Sequence, residues 1–173
     1  MAAVKVLQIV GYKNSGKTTL LLTLLKQAKH EGKTVSTIKH HGHGGVLDMP
    51  NNKTDSVRQF SAGANCSVAY GGGIIQLHQR KQNATLNELI TLASSENPEL
   101  VLIEGFKEGA YEKIVLLNCK EDWITLQKLE NVRLVISSEA VELDKIPVIL
   151  QNDYKQLHSW FINWMDGDKH ESI

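Results

Sequence analysis

The feature that most constrains this chain is the run Gly11-Tyr12-Lys13-Asn14-Ser15-Gly16-Lys17-Thr18, which fits G-x-x-x-x-G-K-[ST] at every position. It lies between an apolar, β-branched stretch, Val4 to Val10, and a segment, Lys17 to His30, whose leucines recur at helical spacing. Strand, glycine turn and helix in that order wrap consecutive backbone N–H groups around an anion and aim the positive end of the helix at it. The pattern assigns phosphate binding to Gly11, Lys13, Asn14, Ser15, Gly16 and Lys17, with the lysine neutralising the β- and γ-phosphates of a nucleotide. The Thr18 hydroxyl would bind a Mg²⁺ that bridges them, and Thr19 would reach the α-phosphate.

Such a loop must hang from a sheet, and the rest of the chain supplies one. Strands are predicted over Thr34 to Ile38, Leu100 to Ile103, Lys113 to Asn118, Val132 to Ser137 and Pro147 to Leu150. Helices are predicted over Asp55 to Ala62, with Thr54 as N-cap, over Leu86 to Ser94, and over Tyr154 to Met165. Cys66 to Tyr70 and Ile74 to His78, joined across Gly71-Gly72-Gly73, read as a hairpin that would add antiparallel edges. The fold class predicted is an α/β, P-loop NTPase three-layer sandwich with a mixed, mostly parallel sheet and a β-hairpin extension. At 173 residues and 42% hydrophobic content, a single nucleotide-binding domain spanning 1–173 is expected, with the hairpin insertion at about 66–78 and a frayed tail over 166–173.

Lysine plus arginine and aspartate plus glutamate stand at 19 each, so no global field draws in nucleic acid or an anionic membrane, and any anion site is local. No apolar run approaches the roughly 18 to 20 residues that span a bilayer, and the first residues lack the regions of a signal peptide. Cytoplasmic placement is expected. Cys66 and Cys119 form no CxxC pair and are read as reduced, buried thiols.

Leu100-Val101-Leu102-Ile103-Glu104 has the form of a Walker B strand whose terminal acid faces the metal, although an acid beside a glycine is also a common turn feature. Asp55 and Asp48 compete for a further magnesium role, and Asp55 is favoured. Asn52-Lys53-Thr54-Asp55 spells the guanine-reading N-K-x-D, yet it precedes the Walker B strand and follows no buried strand, so its position argues against that role. Asn152 and Asp153, directly after a strand, are better placed for base recognition, while Asp153 serves equally as a helix N-cap. His40, His41 and His43 cluster in a polar loop, which reads as a transition-metal site or as a solvated surface where Lys39, His40 and Arg58 meet a second anionic ligand.

Taken in order, the phosphate loop, Ile38-Lys39-His40, Asp55-Ser56 with Ala62-Gly63-Ala64, and Leu102-Ile103-Glu104-Gly105-Phe106-Lys107 resemble the molybdopterin-guanine dinucleotide biosynthesis protein B family, over most of the chain up to Ser138. The resemblance implies a GTP-binding homodimer, an adapter for the guanylyltransferase that joins GMP to molybdopterin. It implies that Lys17, Thr18, Asp55 and Glu104 carry GTP and Mg²⁺, with Lys39-His40 near the phosphates. The chain departs from the family's usual Pro-Gly-Lys-Asp-Ser, reading Pro50-Asn51-Asn52-Lys53-Thr54-Asp55-Ser56, although the acid remains. No glutamine is evident to orient a water and Arg58 is the one plausible arginine finger, so GTPase activity is expected to be weak. Two other classes stay open: an ATP-dependent ligase or kinase resembling dethiobiotin synthetase, and a metallochaperone GTPase.

Overall fold

The computed structural model describes residues 4–42, 47–49 and 54–167. The chain divides into two compact units, Met1–Gly42 with Leu86–Ile173, and His43–Thr85.

In the first unit, six strands form one sheet in the order β2-β5-β1-β6-β7-β8. They are β1 (Lys5–Gly11), β2 (Val35–Lys39), β5 (Leu100–Glu104), β6 (Glu112–Leu117), β7 (Val132–Ser137) and β8 (Val148–Leu150). Every pairing among them is parallel. Strands buried on both faces read as continuous apolar runs, which is why Leu100-Val101-Leu102-Ile103 shows no alternation and why all of β5 is buried, between β2 and β1. Helices α1 (Lys17–His30) and α5 (Tyr154–Asp166) cover one face, packing Leu20, Leu24, Phe161 and Trp164 on Leu7, Ile9, Leu102 and Ile114.

The opposite face has two separate apolar patches. Helix α3 (Leu86–Ala93) covers Val101 and Ile103, and the short helix α4 (Asp122–Leu126) covers Val115 and Val135. Between the patches β1 and β6 carry a polar pair, Gln8 and Lys113, which are registered neighbours and both fully buried. The loop after β5 folds over this pair. Gln8 Nε2 donates to the carbonyls of Gly105 (3.2 Å) and Phe106 (2.7 Å). Lys113 Nζ donates to those of Gly109, Tyr111 and Glu130 at 2.7, 2.8 and 2.7 Å.

The second unit holds α2 (Asp55–Ser61) and the antiparallel strands β3 (Cys66–Gly71) and β4 (Ile74–Gln79). Ser67 Oγ donates to the Ser56 carbonyl (2.9 Å) and Arg80 caps the Phe60 carbonyl (2.7 Å), joining helix and ribbon.

The predicted α/β sandwich with a mostly parallel sheet and a hairpin is what the structure shows. The hairpin, however, forms a two-stranded sheet of its own and adds no edge to the six-stranded one. Cys66 departs from expectation: it is exposed, because a ribbon of two strands against one short helix has no second layer to bury it. Helix α4 was not predicted, since five residues carry too little periodicity. Asp122 shapes its start by accepting from the Asn118 N–H (2.8 Å). The tail beyond Gly167 lies outside the described residues. Among those described, no helix is long and apolar enough to cross a membrane.

Candidate functional site

The loop between β1 and α1 lies at the C-terminal end of β1, where parallel sheets of this kind bind ligands. Gly11 admits no side chain, because a Cβ there would stand 2.7 Å from both the Leu116 carbonyl oxygen and Ser15 Oγ. Asn14 (φ 62) and Gly16 (φ 88) adopt the left-handed conformation, and their alternation with ordinary residues curls the N–H groups into a concave nest. No side chain caps α1 at Gly16 and no acid occupies its first turn, so the N–H groups of Lys17, Thr18 and Thr19 face outward without an intrahelical acceptor. Ser15 Oγ is buried and has no hydrogen-bond partner among the described residues. A cradle of free donors with an unmatched hydroxyl fits a phosphate.

Lys17 Nζ donates to the Tyr12 carbonyl at 2.6 Å. Burial pushes its pKa below the ordinary lysine value; Glu104 opposes that shift, and the positive charges of Lys107 and Lys39 add to it. Such an ammonium gains from a polyanion.

Beside the nest, the Thr18 hydroxyl donates to the Glu104 carboxylate, 3.0 and 2.9 Å from its two oxygens. Glu104 is buried at the end of β5, adjacent to β1, so sheet order alone brings the two residues together. Lys39, at the end of β2 on the other side of β5, places its ammonium 3.2 Å from Glu104 Oε1 and 3.3 Å from Thr18 Oγ1. This hydroxyl and carboxylate already share a cation, and two hard oxygens are the donor set Mg²⁺ favours.

The other expected residues fall as follows. His40 stacks on Phe106 with ring centroids 4.2 Å apart, and His41 is exposed. His43 lies outside the described residues, among which no group of three histidines, cysteines or acids is placed to hold a metal ion. Asp55 and Arg58 belong to the second unit, both exposed and paired with each other at 3.5 Å. Asp48 is exposed, and Asn52 and Lys53 of the Asn52-Lys53-Thr54-Asp55 run lie outside the described residues. Asp153 is the N-cap of α5, accepting from the Gln156 N–H at 2.9 Å, and Asn152 is exposed. Gln151, which precedes this pair directly after β8, stands against the loop: its Nε2 is 3.2 Å from the Cβ position of Gly16. Gln8, Lys107 and Lys113 were not singled out; polar residues inside apolar strands are the signal that could have found the first and last.

The sequence matches the model of the family described as Molybdopterin guanine dinucleotide synthesis protein B over residues 6–138. It is 35% identical over 150 residues to a Bacillus subtilis protein named "Probable molybdopterin-guanine dinucleotide biosynthesis adapter protein", covering 86% of each chain. A Haemophilus influenzae molybdopterin-guanine dinucleotide biosynthesis adapter protein is 29% identical, with 94% of this chain and 90% of that one covered. The crystal structure of a MobB protein homolog from Bacillus stearothermophilus superimposes with a TM-score of 0.77 at 34% identity, covering 93% of this chain and 97% of the other.

Proposed function

Because the chain belongs to the molybdopterin guanine dinucleotide synthesis protein B family, we propose that it is a GTP-binding adapter of molybdenum-cofactor biosynthesis that assists the guanylyltransferase joining GMP to molybdopterin. The observation that carries the nucleotide reading is the open nest of Gly11 to Thr19 beside the Thr18–Glu104 oxygen pair. The N–H groups of Lys13, Asn14, Ser15, Gly16 and Lys17 surround the β-phosphate, and Lys17 turns from the Tyr12 carbonyl to the β- and γ-phosphates. Thr18 and Glu104 would hold Mg²⁺. A bound Mg²⁺ neutralises charge between the two outer phosphates. Lys39, next in the chain to His40 and beside Glu104, would then be free to meet a second anion such as molybdopterin. Asn152 and Asp153 lie in the turn after Gln151, which flanks the loop at Gly16, and this supports base recognition there.

Intrinsic hydrolysis on this reading is slower than about one event per minute, the range of a P-loop site without a partner's arginine finger. The exposed Tyr70, Ile74 and Ile75 of the β3–β4 ribbon support a homodimer. The test is a reconstituted guanylyltransferase reaction, followed by dinucleotide yield with and without this protein and GTP. The protein with GTP should raise the yield, ATP should not replace GTP, and Lys17→Ala should remove the effect. An unchanged yield at saturating protein contradicts the adapter reading.

A further inference from the structure

We propose that Lys107 is a further phosphate-binding residue of this site, one that pairs with the terminal phosphate of a nucleoside triphosphate and so distinguishes triphosphate from diphosphate. The inference rests on the nucleotide reading above and deepens it.

Two lysines are held on one residue of the loop. Lys17 bonds to the carbonyl of Tyr12, and the Lys107 ammonium lies over the Tyr12 ring, 4.2 Å from its centroid. The ring is itself fixed, because it packs on the Val10, Val115 and Leu117 patch of the sheet. Lys107 forms no ion pair with a carboxylate among the described residues. Its ammonium instead shares Tyr12 with that of Lys17, one on the ring and the other on the carbonyl. Lys17 and Lys107 thus share Tyr12 while Lys39 pairs with Glu104, and this excess of positive charge is what a polyphosphate would complete.

The fold also fixes the backbone that carries Lys107. Before it, the Gly105 N–H donates to the Ile9 carbonyl (3.0 Å) and Gln8 holds the carbonyls of Gly105 and Phe106. Phe106 is kept at φ 53 and stacked on His40, a left-handed conformation uncommon for a side-chain-bearing residue. After it, the Gly109 N–H returns to the Phe106 carbonyl (2.8 Å) and the Gly109 carbonyl is held by buried Lys113. Strain retained by so many tethers is characteristic of functional segments. The flexible lysine stem is left to swing.

The phosphate is chosen by position. Lys107 follows Glu104 by three residues, on the loop that leaves the acid that would hold the metal beside the outer phosphates. A contact to an aromatic face is weaker than a charge-assisted bond to phosphate, so an arriving terminal phosphate draws the ammonium off Tyr12. A diphosphate offers it nothing at that place.

The test uses the full chain and titration calorimetry with a non-hydrolysable GTP analogue and with GDP, both with Mg²⁺. Lys107→Met and Lys107→Gln remove the charge and keep much of the stem on Tyr12; Lys107→Arg keeps the charge, and circular dichroism checks each fold. The uncharged variants should lose about tenfold or more in affinity for the triphosphate and less than about twofold for GDP, with Lys107→Arg retaining most of the preference. Equal losses for both ligands, or unchanged triphosphate affinity in a folded Lys107→Met or Lys107→Gln, overturn the role of Lys107 alone. Absence of binding by the unaltered protein overturns the nucleotide reading and this inference with it.

Discussion

Lys17 is an ammonium with a carbonyl for a partner, depressed by burial and by the neighbouring lysines against the pull of Glu104. An anion in the nest favours its charged form, so its pKa is higher in the complex than in the free protein. Affinity therefore stands at its full value below the free-state pKa and is lost as pH rises from that value towards the bound one. The free-state value lies below the ordinary lysine value of 10.5, so the loss begins earlier than for an exposed lysine. Methyl triphosphate, which carries no base to titrate and whose terminal phosphate is ionised well below the lysine range, is the ligand for the measurement. Its affinity should fall, with proton uptake on binding, as pH rises towards the ordinary lysine value of 10.5. Flat affinity with no proton uptake over that range contradicts the assignment of Lys17 to the anion. At this scale the sequence was most legible where local chain geometry sets the role: Gly11, Gly16, Lys17 and Thr18 act through the turn they build. Lys107 was not legible, because its role depends on Tyr12, which reaches it from across the loop.

Among the elements, the loop after β5 is governed by residues that belong to other strands. Lys113 is a fully buried ammonium whose pKa burial drives down, and it satisfies three carbonyls with no carboxylate bonded to it. Lys113→Met fills the volume but leaves those carbonyls without a donor, a loss of roughly 2 to 4 kcal/mol of unfolding free energy. Urea denaturation of the pure protein measures it, and a change below about 0.5 kcal/mol would show that water or a shifted loop takes over the carbonyls. The elements themselves were readable wherever a single period ran long enough, as in the leucines of α1 and the unbroken apolar run of β5. The Gln8–Lys113 seam was hidden because two polar residues in separate strands show their meaning only once β1 and β6 are paired. The independence of the β3–β4 ribbon was hidden too, since strand signals announce pairing and not which sheet receives it.

For the whole molecule, sheet order does most of the work of assembling the site. Placing β5 between β2 and β1 brings Lys39, Glu104 and Thr18 within hydrogen-bonding distance although they are far apart in the chain. The α1 dipole and the open nest then add an anion site to a molecule with no net charge. The proposed role requires this assembly to bind a nucleoside triphosphate through the loop. The direct measurement is calorimetric titration of GTP with Mg²⁺ into the unaltered protein and into Lys17→Ala, each confirmed folded. Saturable, Mg²⁺-dependent binding by the unaltered protein and a loss of about a hundredfold or more in the variant are expected. Equal affinity in a folded Lys17→Ala, or no binding by either protein, would contradict it.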